Sequence, residues 1–276
     1  KLVGPVGVRG LAVGLSFLQS IIVARVFGPE SYGAFSFALS IGALLLLFVS
    51  FGFDNLLIRE LASTGLERAR ESARWHHVAM FSGKIVSALL VCAMAGTIIA
   101  ALLLADGTPY QAPLIIVACA LPFVAIRKFI EALAVGAKQI VRSMWGTQVI
   151  YPLLMIVLAL GFLGLPIVRD AVALSWIYLI ASLVSVLFAL LLLRQLTGRI
   201  GRWLLPPFRS AVPEPGDDLP TQRTLLFAGG NLALVAGALM MGQHLDVIMT
   251  GMFASSAEVA IVRVCSRIAE IIGIVR

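Results

Sequence analysis

Arg263 and Arg267 stand four residues apart in the apolar run VAIVRVCSRIAEII, so a helix places both on one face, with Glu270 three residues further on. An ionisable side chain at the centre of a membrane helix costs roughly 2.5–3.5 kcal/mol on insertion scales. Two cations on one stripe must therefore face water, an acid or an anionic ligand. Asp246 is the acid across the preceding turn. A structural Asp246–Arg263 link and a role in binding substrate or protons are both open. A second group is Lys84, Arg127, Lys128 and Glu131, again inside apolar runs. Arg127 and Glu131 are spaced to pair on one face. Alternatively the group is a basic patch for a phosphate-bearing ligand, since the planar guanidinium matches phosphate oxygens and stays charged when desolvated. Arg9 lies among Gly4, Pro5, Gly7, Gly10 and Gly14. Such a backbone bends and leaves a cleft for the cation, or else Arg9 snorkels to the headgroups. Asp246, Glu131 and Glu270 are the candidates for ion coupling or gating.

Other chemistries lack their residues. Ser82-Gly83-Lys84 is not a phosphate-binding loop, because the upstream glycine and the following hydroxyl are missing. No serine-hydrolase or zinc-protease motif occurs. Asp217-Asp218 falls in a proline-rich stretch without a catalytic domain around it. His76, His77 and His244 have no second ligand at metal spacing. Cys92, Cys119 and Cys265 sit in apolar runs and are expected to be buried free thiols. The expectation is a protein without cofactor or metal that is not an enzyme.

These charges must be positioned by membrane helices. The chain is 60% apolar and 13% charged with mean hydropathy +1.02, whereas a soluble domain carries about 25% charged residues. An all-α polytopic membrane protein is expected. Its spans lie at about 3–27, 33–57, 78–105, 112–134, 141–164, 170–194, 223–252 and 257–275. The net charge of +7 does not point to nucleic acid. Lys and Arg concentrate in connections 58–77, 127–142 and 194–223 and are sparse in the alternate ones, which places the N-terminus in the cytoplasm. Residues Arg59 to Trp75 mix charges at helical spacing and are expected as one helix lying on the inner leaflet, with Glu67–Arg70 and Glu71–Arg74 pairs. Arg25 caps the outer end of the first span. Five prolines between Thr197 and Thr221 mark a linker. The organisation is then a six-helix lobe (1–196), a linker (197–222) and the start of a second lobe (223–276).

An offset of 227 residues lays Leu18–Leu45 on Leu245–Ile272 without gaps, pairing Leu18 with Leu245, Ile21 with Ile248 and Ile41 with Ile268. Identity is low. The shared pattern is an apolar helix end, a small-residue turn and a small-plus-apolar helix start. A repeat of this kind is usual in secondary transporters; chance agreement between two apolar hairpins is the alternative.

The hairpin ARVFGPESYGAFSFALSIGALL, followed by FGFDNLLIREL, resembles the opening of the Wzx-like oligosaccharide flippases, polysaccharide-transport proteins of the MOP superfamily. HLDVIMTGMFASSAEVAIVRVCSRIAEII is similar to that family's seventh and eighth spans, although Ala260 and Val262 stand where Gly and Tyr are usual. The resemblance implies a MOP/MATE-like helical bundle of two lobes, of which these residues would form slightly more than half. It implies a transporter in the bacterial inner membrane that flips a polyprenyl-pyrophosphate-linked oligosaccharide by alternating access. Arg9, Lys84, Arg127, Lys128, Arg263 and Arg267 become candidates for the pyrophosphate. The implied partners are the lipid-linked oligosaccharide, membrane lipids and other polysaccharide-assembly proteins. The fold also serves ion-coupled drug antiporters, for which a net acidic cavity is the expected mark, and a polytopic enzyme of polysaccharide assembly would need a large polar loop.

Overall fold

A computed structural model describes residues 3–65, 72–139, 144–162, 170–197 and 220–275, and these contain helices and no strand. The helices are α1 (Val3–Phe27), α2 (Pro29–Ser50), α3 (Phe53–Thr64), α4 (Ala73–Leu104) and α5 (Gln111–Gly136). A single π-turn (Trp145–Val149) opens α6 (Ile150–Gly161), and α7 (Ala171–Thr197), α8 (Gln222–Phe253) and α9 (Ser256–Val275) follow. Six helices (α1, α2, α4, α5, α7 and α8) are long and apolar enough to cross a membrane. Of the other two expected spans, α6 is a 12-residue apolar helix beyond its π-turn, and α9 carries Glu258, Arg263, Arg267 and Glu270 in 20 residues. The chain is an all-α multi-pass membrane protein.

Helix α2 is the centre of the bundle, packing against α5, α7, α8 and α9. Its face from Tyr32 to Ala38 is wholly buried. The apolar surplus points outward instead: Val91 is 65% exposed, Leu103 75% and Phe253 80%, the reverse of a soluble protein and what a hydrocarbon solvent permits. Cys92, Cys119 and Cys265 also lie on exposed helix surface, which corrects the expectation of buried thiols. An apolar run in a membrane protein does not distinguish core from lipid face.

The expected continuous second span is interrupted. At Phe51 and Gly52 the backbone turns left-handed (φ 43° and 71°), and α3 starts afresh at Phe53. A phenylalanine in that region is a true outlier. It is held by its neighbours, since Phe51 packs on Phe53 with ring centroids 5.9 Å apart. The Ser50 hydroxyl donates to the Leu47 carbonyl, 3.1 Å away, which helps to close off the end of α2. The expected single surface helix from Arg59 to Trp75 is not formed either. Helix α3 ends at Thr64, where Gly65 takes φ 79°, and α4 begins behind Ser72, whose hydroxyl accepts from the Trp75 amide. Trp75 belongs to a buried cluster with Phe53, Leu57, Leu61 and Leu133. Arg74 pairs with Glu60. Glu67, Arg70 and Glu71 lie outside the described residues, as does most of the proline-rich linker, Asp217 and Asp218 included.

The 227-residue offset has a structural counterpart. Pro29 opens α2 and Ser256 opens α9, at that same offset. Helix α1 packs on α9, α8 packs on α2, and α2 packs on α9. Exchanging hairpin α1–α2 for hairpin α8–α9 maps this contact set onto itself, as an isologous pairing requires. The second hairpin is fixed by a capping box. The Ser255 amide and hydroxyl donate to the Glu258 carboxylate at 2.8 and 2.9 Å, and the Glu258 amide returns to the Ser255 hydroxyl at 3.4 Å. Ser255→Ala should lower stability by about 1 kcal/mol, read as a thermal shift of the detergent-purified protein. An unchanged transition would show that the box contributes nothing to the turn.

Candidate functional site

Successive residues on a helix diverge by about 100°, and α5 uses this to send two cations in two directions. Arg127 reaches toward α6, where its guanidinium lies over the Tyr151 ring at 4.8 Å from the centroid, a cation–π stack. Tyr151 meets Tyr178 of α7 edge to face at 6.1 Å and 88°. Tyr178 in turn meets Phe35 of α2 edge to face at 5.7 Å. Arg263 and Arg267 approach from α9, close enough that they and Arg127 all act electrostatically on the Tyr151 hydroxyl. Arg263 is 6% exposed. Three cations from α5 and α9 thus act on one phenol inside an apolar bundle, Arg127 by direct stacking and the two arginines of α9 through space.

Helix α8 adds His244 to this group. Both Arg263 and Arg267 act on it through space, and its Nδ1 lies 3.4 Å from the Ser40 hydroxyl. The Ser40 proton is committed to the Ser36 carbonyl at 2.9 Å. His244 is thus a half-buried member of the wall beside the two arginines of α9. Asp246, two residues on, is exposed and forms no ion pair among the described residues. Of the two open readings, the Asp246–Arg263 ion pair is not among the ion pairs of the described residues: Arg263 is buried on α9, and Asp246 is exposed on α8.

Lys128 points the other way. Its Nζ pairs with Asp54 Oδ2 at 3.0 Å and lies 3.5 Å from the Ser50 hydroxyl, so it bridges the break between α2 and α3. Glu131 accepts from the Gln148 amide at 3.1 Å, joining α5 to the π-turn of α6. Arg9 and Lys84 are exposed on α1 and α4 and make no hydrogen bond or ion pair among the described residues. Around Arg9, a Cβ at Gly7, Gly10 or Gly14 would meet nothing within 4 Å. This stripe of α1 is open surface. The side chain of Glu270 lies outside the described residues.

Of the expected set, then, the fold gathers Arg127, Arg263 and Arg267, gives Lys128 a structural partner and leaves Arg9 and Lys84 apart on open surface. Tyr151, Tyr178 and Ser40 are the residues that sequence reasoning missed as members of the site, and Asp54 was missed as the partner of Lys128. Tyr151 and Tyr178 carried one usable signal, a phenol well inside an apolar run, where its hydroxyl needs a partner. Chemically, the site can hold an anion by charge and planar hydrogen bonding, with an aromatic wall beside it.

Comparison with curated proteins and with solved structures yielded no match for this chain. A family model described as "Polysaccharide biosynthesis protein" matches residues 6–275, nearly the whole chain and every helix of the site. The chain belongs to that family, the Wzx-like polysaccharide transporters of the MOP superfamily.

Proposed function

We propose that the chain moves an oligosaccharide linked to polyprenyl pyrophosphate across the bacterial inner membrane by alternating access, with its N-terminus and its arginine-rich connections in the cytoplasm. Family membership supports a polysaccharide-related transporter. The observation that carries the finer reading is the convergence of Arg127, Arg263 and Arg267 around Tyr151. Three cations, one of them buried and two half-buried, suit a cargo with several negative charges concentrated on one group, and a pyrophosphate is such a group. A cationic drug would meet repulsion there, which argues against the antiporter reading. Helices α8 and α9 bring two of the arginines to the first lobe, so motion of that hairpin would carry bound cargo with it.

Deleting the full-length gene should cause polyprenyl-pyrophosphate oligosaccharide to accumulate on the cytoplasmic side, detected by lipid mass spectrometry, with loss of surface polysaccharide. Unchanged lipid-linked intermediates, together with new sensitivity to cationic drugs, would reject the reading.

A further inference from the structure

The break between α2 and α3 is a knuckle seated in α8. A Cβ on Gly52 would lie 2.4 Å from the Gly229 carbonyl oxygen and 2.7 Å from the Ala233 nitrogen. One on Gly229 would lie 3.0 Å from the Phe51 carbonyl oxygen. Only glycines allow backbones so close, and Gly52 must also sustain φ 71°. Leu225 of α8, 4% exposed, closes the same contact against the Phe53 and Trp75 cluster. At this arginine-rich end of the bundle, α8 is thus held to the first lobe through the knuckle. What holds the knuckle to α5 is Lys128, bound to Asp54 just after the break and to Ser50 just before it.

We infer that the Lys128–Asp54 pair is a latch, and that an anion arriving at Lys128 releases it. The inference rests on the anionic cargo proposed above. Asp54 is then a positioning residue: it sets the knuckle, and through it the closure of α8, without touching cargo. The pair is partly exposed, with side chains 29% and 18% exposed, and lies at the arginine-rich end of the bundle, so an anion can reach it. A diphosphate bound at the ammonium meets the Asp54 carboxylate as a like charge. The carboxylate is displaced because the diphosphate carries more charge on more oxygens. With Asp54 free, the strained turn at Phe51 loses its anchor and α8 is released at this end. Arg127, the adjacent residue on α5, faces the central arginine cluster, so one helix carries both the binding site and the latch.

The test uses the full-length protein in nanodiscs, with its native cysteines replaced and Leu225→Cys as reporter of the knuckle contact. A maleimide probe should label this cysteine slowly, and inorganic pyrophosphate should accelerate labelling on the order of tenfold, the effect of losing one charged contact. Asp54→Asn should label at the fast rate without pyrophosphate and respond little to it. Lys128→Gln should also be fast and unresponsive. Ala101→Cys, in the separate core around α2 and α7, should stay unlabelled in all variants, which distinguishes release of the latch from unfolding. If Asp54→Asn unfolds by that criterion, the pyrophosphate response of the parent decides. Slow labelling in folded Asp54→Asn would overturn the latch. So would an unresponsive parent to which pyrophosphate binds in a separate equilibrium measurement. Absence of any pyrophosphate binding would instead strike the cargo reading, and the Asp54→Asn rate alone would then decide whether the pair latches.

Discussion

Gly33→Ala should leave little folded protein in the membrane. The Cβ it adds would stand 1.6 Å from the Ser256 carbonyl oxygen and 2.5 Å from its carbonyl carbon, where α2 crosses the first turn of α9. The obstacle is backbone, so no rotamer change relieves it and the hairpin itself must move. Overpacking of side chains alone typically costs 1–3 kcal/mol, so about 3 kcal/mol or more is expected here. That exceeds the gain of roughly 1 kcal/mol that alanine brings to a helix interior. Gly96→Ala is the matched control, since a Cβ there meets nothing within 4 Å, and it should be neutral or slightly stabilising. Membrane level and thermal stability in detergent measure both. If the two variants behave alike, the close approach of α2 and α9 is wrong.

That glycine shows how far the sequence could be read. The pattern FGPESYG marked a helix end, a turn and a new helix, and the structure has α1 ending at Phe27 and α2 starting at Pro29. Hydropathy alone carried this much, because a span of about 20 apolar residues has few alternatives. Why position 33 is glycine was not legible, since its reason lies on a segment more than two hundred residues away. The break at Phe51–Gly52 was hidden for a related cause. The uncharged run from Ser31 continues through it to Phe53, and composition does not register a change in backbone direction that tertiary contacts enforce. The charges divided in the same way. Their cost in a membrane marked Arg127, Arg263 and Arg267 as needing company, and the fold brings them together. Which acid answers which base was set by facing, and one turn of error in a helix face is enough to exchange partners. Hence Lys128 meets Asp54 from another helix, while Asp246, across the turn from Arg263, is exposed and forms no ion pair among the described residues.

Arg263→Gln should reduce pyrophosphate binding about 10- to 150-fold, the value of one hydrogen-bonded contact to a charged group at roughly 1.5–3 kcal/mol. Export of cargo should fall with it. Arg263 is the most enclosed of the three cations with a described exposure, at 6%, and low dielectric strengthens its hold on an anion. Arg263→Lys separates charge from shape. It keeps the cation but lacks the planar fork, so it should recover only part of the affinity. Asp246→Asn should have little effect on this binding, because the acid is exposed on another face. Tyr151→Phe should retain the Arg127 stack, whereas Tyr151→Ala should loosen Arg127 and weaken binding through it. Level in the membrane must be measured alongside, since removing a buried group can also unfold the bundle. Arg263→Gln at normal level with unaltered pyrophosphate affinity would remove α9 from the binding site. An anion would then be left with Arg127 and the lysine at the latch, and the role of α8–α9 would shrink to that of a gate.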